Sequence, residues 1–345
     1  MKKVTVIGSH GYQGSYGGWD QLVNMLVKYN DKNTLLRIIS PRKNQNTVDI
    51  ENIEVVNSNL SGSGLSGLML DIFSSLRYSG STDTFLLLGA KGIIGALIAK
   101  FIFRSRVVVN IGGIEWERPQ YNKFIKLYLK LCFKLAERYS NTLILDNEYY
   151  LTFLNHKRRN VEIIPYGGEI YKSLSAKELE KEYDFLSKNY YLSVSRSIKD
   201  NKIYELCEVF LNYPEKQLVL ISNLSNSAYG HNIKKRFGQV KNITLIDGLY
   251  DKQKLDCIRR NCFGYIHTHT LCGSAPSLIE MIVADKPIIS IDRPQNRYTL
   301  DNQGIYFNDF KELKGALNST LNPLSLTLKS RYNWQKIIKR YGATF

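Results

Sequence analysis

Short runs rich in β-branched residues alternate with longer amphipathic segments along the whole chain, the pattern of parallel sheets covered by helices rather than of a sandwich or a bundle. In the first half the runs predict strands at residues 3–7, 35–39, 53–56, 84–88, 106–110, 142–145 and 161–164. The clearest helix spans 121–139, where Phe124, Leu127, Leu131 and Leu135 recur every three to four residues between lysines. That spacing predicts an apolar stripe turned to the core and lysines on the opposite face. The same grammar restarts in the second half, with strands expected at 190–194, 217–221, 243–246, 263–267 and 287–291.

Between the halves, the turn Pro165-Tyr166-Gly167-Gly168 and the charged stretch 172–184 replace apolar periodicity. They divide the chain into domains at 1–168 and 169–324, followed by a final helical segment at 325–345. A last helix over 325–341 carries Tyr332, Trp334, Ile337 and Ile338 and is too apolar to hang free. The most apolar window, 85–103, is interrupted by Lys91 and Lys100 and divided by Gly89, Gly92 and Gly95. It reads as a strand, a glycine turn and a buried helix, not as a membrane span.

With 345 residues, 43% of them hydrophobic, the chain can fill two cores, which excludes disorder and a small stapled scaffold. The net charge of +16 biases the surface towards phosphates, nucleic acid or an anionic membrane without choosing among them. Five scattered cysteines without a CxxC pair signal neither a disulfide framework nor a zinc ribbon, and fit a reducing cytoplasm. The apolar run at the N-terminus is too short for a signal peptide.

The first strand leads into Gly8, Gly11, Gly14, Gly17 and Gly18, ahead of a helix opening near Trp19. Glycines before a helix N-terminus build an anion pocket, although a tight strand-to-helix turn also uses them. The spacing GxxGxxG is not the dinucleotide GxGxxG, and the second strand ends at Ser40-Pro41-Arg42 where an acid would hold the ribose, so NAD is disfavoured. No nucleoside triphosphate loop and no DxD metal clamp occurs, so a bound diphosphate would be neutralised by protein groups, with no metal and no cofactor expected. Arg196, Lys199 and Lys202 follow the strand at 190–194, as a diphosphate grip or as a solvated turn.

The richest segment runs from the strand at 263–267 through His267, His269, Cys272, Gly273 and Ser274 into a helix starting near Pro276 and carrying Ser277, Leu278 and Glu280. Free amides at that helix end suit a nucleotide's phosphates, and Glu280 one turn later suits ribose hydroxyls. Two histidines at i and i+2 raise zinc as a competitor, but Cys272 is the only other local ligand and the spacing is irregular. After the strand at 106–110, Glu115, Trp116 and Arg118 bring a carboxylate, an indole and a guanidinium into one loop. That combination serves a sugar ring or an ordinary surface turn.

In this order the motifs resemble the retaining GT-B glycosyltransferases of family 4, and within them the bacterial polysaccharide rhamnosyltransferases, nearly end to end. The resemblance rests on Gly8-x-x-Gly11 with Tyr16-Gly17-Gly18, on Gly113-Ile114-Glu115-Trp116-x-Arg118, on Pro165-Tyr166-Gly167, on Arg196, and on His267-x-His269 through Pro276-Ser277-Leu278-x-Glu280. It implies two Rossmann-like doubly wound domains facing a central cleft, with the C-terminal helix returning to the first domain. The donor site would comprise Gly17, Gly18, Arg196, Lys202, His269, Gly273, Ser274, Ser277, Leu278 and Glu280, with Glu280 on the ribose and Arg196 on the diphosphate. The acceptor side would use His10, Tyr16, Glu115, Trp116 and Arg118, and Arg196, Lys202 and Glu115 would carry catalysis.

The implied reaction moves L-rhamnose from dTDP-rhamnose, or another sugar from a dTDP or UDP donor, to a glycan or lipid-linked acceptor in cell-surface polysaccharide synthesis. The anomeric configuration would be retained, on the cytoplasmic face of an anionic membrane. The basic clusters Lys123, Lys126, Lys130, Lys134 and His156-Lys157-Arg158-Arg159 would serve that membrane. Departures from the family pattern bear on the donor sugar: Cys272 replaces a glutamate, Asn201 a lysine, His10 an arginine, and Ser274-Ala275 a Thr-Asn. A nucleotide-sugar epimerase or hydrolase of the same fold is the alternative enzyme. A nucleic-acid-binding module is disfavoured by the lack of an RRM-type or helix-turn-helix motif.

Overall fold

Two separate parallel sheets form from the alternating segments, each wound in both directions from its first strand. The computed structural model describes residues 1–14, 17–41, 49–117, 121–155, 160–171 and 174–345. Tyr16, Arg118 and the cluster 156–159 lie outside the described residues.

In the first unit the chain runs β1 (Lys2–Ile7), α1 (Gly18–Lys28), β2 (Thr34–Ser40), β3 (Ile53–Asn57), α2 (Gly64–Arg77), β4 (Thr84–Leu88) and α3 (Ile93–Phe103). It continues through β5 (Arg106–Ile111), α4 (Lys123–Tyr139), β6 (Thr142–Leu145) and β7 (Val161–Ile163). The sheet order is β3-β2-β1-β4-β5-β6-β7, with parallel register fixed by pairs such as Val4 with Leu36 and Val4 with Thr84. The chain therefore steps one way to β3 and then back across β1. With right-handed crossovers, that reversal puts α1 on one face and α2, α3 and α4 side by side on the other. Phe85, Val107 and Leu143 from the strands meet Ile93, Phe133 and Ala136 from α3 and α4 in the core beneath those helices.

The second unit holds α5 (Ala176–Leu179), β8 (Tyr190–Val194), α6 (Ile203–Leu211), β9 (Gln217–Ser222), α7 (Ala228–Phe237), β10 (Ile243–Asp247) and α8 (Lys252–Asn261). Then come β11 (Gly264–His267), α9 (Pro276–Val283), β12 (Ile288–Ile291), α10 (Pro294–Leu300), β13 (Ile305–Phe307), α11 (Leu313–Leu317) and α12 (Leu326–Arg331). Its sheet order is β10-β9-β8-β11-β12-β13. The edge strand β13 was not expected, because three residues with only Phe307 fully buried leave no apolar run to read.

The expected single helix over 325–341 is in fact two. After α12 the chain turns at Tyr332 and Asn333 and starts α13 (Trp334–Thr344), and it is only α13 that joins the first unit. Compact unit 1 comprises Met1–Tyr166 with Trp334–Phe345, and unit 2 comprises Gly167–Asn333. In unit 1, Trp334 packs edge-on against Tyr166, and the Tyr341 hydroxyl is hydrogen-bonded to the Asn110 side chain at 2.7 Å. In unit 2, the Gly168 amide donates to the Tyr332 carbonyl at 2.9 Å, so the two chain crossings lie side by side.

Two expectations about helix faces fail. In α4 the inward side is Cys132, Phe133 and Ala136, while Phe124 is 83% exposed and Leu127 69% exposed. Of the expected core stripe only Leu135 packs against the core, while Phe124, Leu127 and Leu131 lie outside, and lysines share that outer side. Likewise α3 is buried along Ile93, Gly95, Ala96, Leu97 and Ala99, while its outer side shows Ile98, Phe101 and Ile102.

One buried carboxylate lies under the same layer. Asp71 of α2 pairs with Lys91 at 3.3 Å, and burial raises its pKa to about 6 despite that partner. A carboxyl with a folded pKa above its unfolded value stabilises the fold fully below the unfolded value and loses that contribution as pH rises through about 6. Relative to wild type, Asp71→Asn is therefore expected to gain about 2–3 kcal/mol in unfolding free energy between pH 4 and pH 7. Paired urea melts across that range measure it, and a difference that does not change with pH would place the proton elsewhere.

Candidate functional site

Each unit gathers side chains singled out in the sequence at the carboxyl ends of its strands, where open parallel sheets bind ligands. In unit 1 the loop after β1 is held by its own glycines. Gly8 has φ +105°, and a Cβ there would lie 2.3 Å from the Leu88 carbonyl oxygen. Gly11 has φ +92°, and a Cβ there would lie 2.2 Å from Ser40 Oγ. Only glycine tolerates both conformations at that closeness. The loop is laced to α1 by the His10 amide donating to Asp20 Oδ1 at 2.9 Å and the Gln13 amide donating to Asn24 Oδ1 at 2.7 Å. Asp20 is buried, and its Oδ1 also lies 3.5 Å from His10 Nδ1, which fixes the half-exposed imidazole at the loop's edge. Gly17 is extended and Gly18 opens α1, whose N-terminus has no side-chain cap.

Beside this loop Trp19 donates its indole N–H to Asn110 Oδ1 at 2.9 Å, and Asn110 is bound in turn to Tyr341. Gly89 and Gly112 leave room for the indole, since a Cβ on either would come within about 3 Å of it. Trp19, Gly112, Glu115 and Trp116 line one small pocket. Trp116 packs edge-on against Phe133 at 4.8 Å and Phe153 at 6.5 Å, so its ring is anchored by the core rather than standing free in the loop. The sequence singled out Glu115 and Trp116 but not Trp19 or Asn110. Their only signal was the position of each at the end of a strand or the start of a helix.

In unit 2 the loop after β8 and the loop after β11 are tied together. The Thr270 amide and hydroxyl both donate to the Asp200 carbonyl, at 3.2 and 2.9 Å, and the Thr268 hydroxyl donates to the Asn201 carbonyl. Asn201 Nδ2 donates to the Arg196 carbonyl at 2.8 Å, so Arg196 is positioned through its backbone. His267 and His269 are buried with ring centroids 4.4 Å apart. Burial lowers the pKa of His269 to about 3, with the neighbouring Arg196 adding to the effect, and burial together with His269 holds that of His267 well below the usual imidazole range. Both rings are neutral at physiological pH, and among the described residues none of their nitrogens has a hydrogen-bond partner. Unsatisfied polar rings at the mouth of a loop are costly unless a ligand or water completes them. Gly273 and Ser274 are buried beside them, and α9 begins at Pro276 with no side-chain cap on its amides.

Lys202 does not project alone beyond the strand. It sits at the entrance of α6 with φ +55° and pairs with Glu205 at 3.1 Å, both ends partly exposed. Ser277 and the buried Leu278 lie in the first turn of α9, and Glu280 one turn in forms an ion pair with Arg259 of α8. Arg259 is 5% exposed and was not recognised in the sequence, because the α8 segment is polar enough to read as a solvated face. Among the described residues no three His, Cys, Asp or Glu side chains gather as a metal site, and Cys272 forms no disulfide.

Over nearly the full chain the structure superposes on solved enzymes. The sucrose-phosphate synthase of Thermosynechococcus elongatus matches with a TM-score of 0.78 at 14% identity, over 99% of this chain and 98% of that one. The chain has the GT-B fold. Anabaena HepE, solved in complex with UDP-glucose, matches with a TM-score of 0.76 at 15% identity over 100% and 99% of the two chains. A trehalose-6-phosphate protein from E. coli, bound with UDP-2-fluoro glucose, matches with a TM-score of 0.72 at 12% identity over 99% and 98%. In sequence, a family model described as "Domain of unknown function (DUF1972)" matches residues 1–169. No curated protein matches the sequence.

Proposed function

We propose that this GT-B chain is a retaining glycosyltransferase that takes its donor as a nucleotide-sugar. The observation that carries the reading is the unit 2 constellation: Arg196 beside the neutral His269, whose ring nitrogens have no hydrogen-bond partner among the described residues, in loops laced to each other ahead of the uncapped N-terminus of α9. A guanidinium and oriented amides, fixed before the reaction, suit a departing diphosphate. The solved relatives holding UDP or UDP-glucose support the same choice of donor class. Donor binding is assigned to Gly17, Gly18, Arg196, Lys202, His269, Gly273, Ser274, Ser277, Leu278 and Glu280, and acceptor binding to His10, Tyr16, Glu115, Trp116 and Arg118.

In the reaction the bond between the anomeric carbon and the diphosphate oxygen breaks, and the acceptor hydroxyl attacks from the same face. Positive charge develops on the sugar and negative charge on the diphosphate, which Arg196 and the α9 amides stabilise. The departing phosphate oxygen accepts the acceptor's proton, so no separate nucleophile is required. Protein cations do the neutralising, and the assignment uses no metal. L-rhamnose from a dTDP donor is the proposed sugar and a lipid-linked glycan of a cell-surface polysaccharide the proposed acceptor. Both choices rest on the family resemblance.

Thermal shift with dTDP-, UDP- and GDP-sugars tests the reading. One nucleotide class is expected to raise the melting temperature by several degrees at saturating concentration. Absence of a shift with all three classes would overturn it. Product analysis with and without acceptor separates transfer from epimerisation and hydrolysis.

A further inference from the structure

We infer that the outer face of α2, α3 and α4 in unit 1 docks onto an anionic lipid bilayer. These three helices lie side by side on one face of the sheet, and each turns an apolar row outward. In α2 the row is Leu65, Met69 and Phe73, with Leu65 78% exposed. In α3 it is Ile98, Phe101 and Ile102, with Phe101 66% exposed. In α4 it is Phe124, Leu127 and Leu131. Each row repeats at helical spacing on the side away from the core, which scattered surface leucines do not do.

The charge on this face has one sign. The only carboxylates within the three helices, Asp71 and Glu137, are both buried. Arg77, Lys123, Lys130 and Lys134 are exposed beside the apolar rows. Lysines on four-carbon stems can leave the apolar plane and reach lipid phosphates while leucine and phenylalanine side chains enter the boundary between headgroups and acyl chains. A second copy is the poorer occupant, because this face set against itself would oppose lysine to lysine, and protein interface cores are depleted in lysine. No helix among the described residues is long and apolar enough to cross a membrane, so contact through this face would be along the surface.

The inference deepens the proposed function only in bringing a lipid-linked acceptor to the protein. Bilayer contact itself does not depend on the reaction. The test is sedimentation of the full chain with vesicles of phosphatidylcholine alone or with phosphatidylglycerol added, using wild type, Phe101→Glu/Leu127→Glu and Lys130→Glu/Lys134→Glu. Both double variants change exposed side chains and should melt with wild type. Wild type is expected to sediment with the anionic vesicles, and each variant to lose roughly tenfold or more in partitioning. Equal sedimentation of wild type and variants would overturn the assignment of this face while leaving membrane binding intact. Failure of wild type to bind either vesicle would overturn it altogether, as would a dimer in size-exclusion chromatography that the variants abolish without any vesicle binding. Vesicle binding by a protein that binds no nucleotide-sugar would leave this surface standing and remove the proposed function instead.

Discussion

Arg196→Ala should lower turnover by roughly 10²–10³-fold, the loss expected when a preorganised donor aimed at developing charge is removed. The Arg196 carbonyl accepts from Asn201 Nδ2, and that bond within the loop survives the change of side chain. Arg196→Lys should fall between wild type and the alanine variant, because a point charge replaces a planar fork that can bind two phosphate oxygens at once. Steady-state assays with the donor identified by thermal shift measure both variants. An alanine variant with unaltered turnover would remove Arg196 from the chemistry and with it the main support for the assignment.

The second large effect is on stability. Glu280 and Arg259 pair with side chains only 13% and 7% exposed, so cutting away one partner removes a close countercharge from a largely buried site. Glu280→Ala and Arg259→Ala are each expected to lose about 3–5 kcal/mol in urea unfolding. The double variant should lose clearly less than the two single losses added together, because neither charge is then stranded. Strict additivity in that cycle would show that the two side chains do not share an interaction. If Glu280 also holds the ribose, Glu280→Gln should raise the donor KM more than it lowers kcat. A purely structural glutamate would leave KM alone.

The fold could be read from the chain almost completely, and the site only in part, for physical reasons that differ by element. Central strands such as β4 (Thr84–Leu88) and β8 (Tyr190–Val194) are apolar on both faces and stand out from the polar turns around them. β13 is short and half covered, and had no such contrast. In α4 two apolar stripes coexist, one through Phe124 and Leu127 and one through Phe133 and Ala136. Periodicity shows that a stripe exists but not which of two meets the sheet, so the inward side was misassigned.

At the site, glycines and the histidine-to-glutamate segment announced themselves by local spacing. The partners that fix them did not, because Trp19 meets Asn110 across 91 residues and Asn110 meets Tyr341 across 231. Nothing in the run containing Arg259 distinguishes it from its neighbour Arg260, which pairs within its own helix with Asp256. Long-range pairs of this kind are set by the tertiary fold and leave no local pattern.

The return of α13 to unit 1 has a consequence for biosynthesis. Unit 2 is a single uninterrupted stretch, whereas unit 1 needs Tyr341 beneath Asn110 and Trp334 against Tyr166. A nascent chain synthesised as far as Asn333 therefore contains every residue of unit 2 but only an unclosed unit 1. The lobe translated first is completed by the last segment made, and until α13 arrives its indole at Trp19 leans on an amide that lacks its final partner.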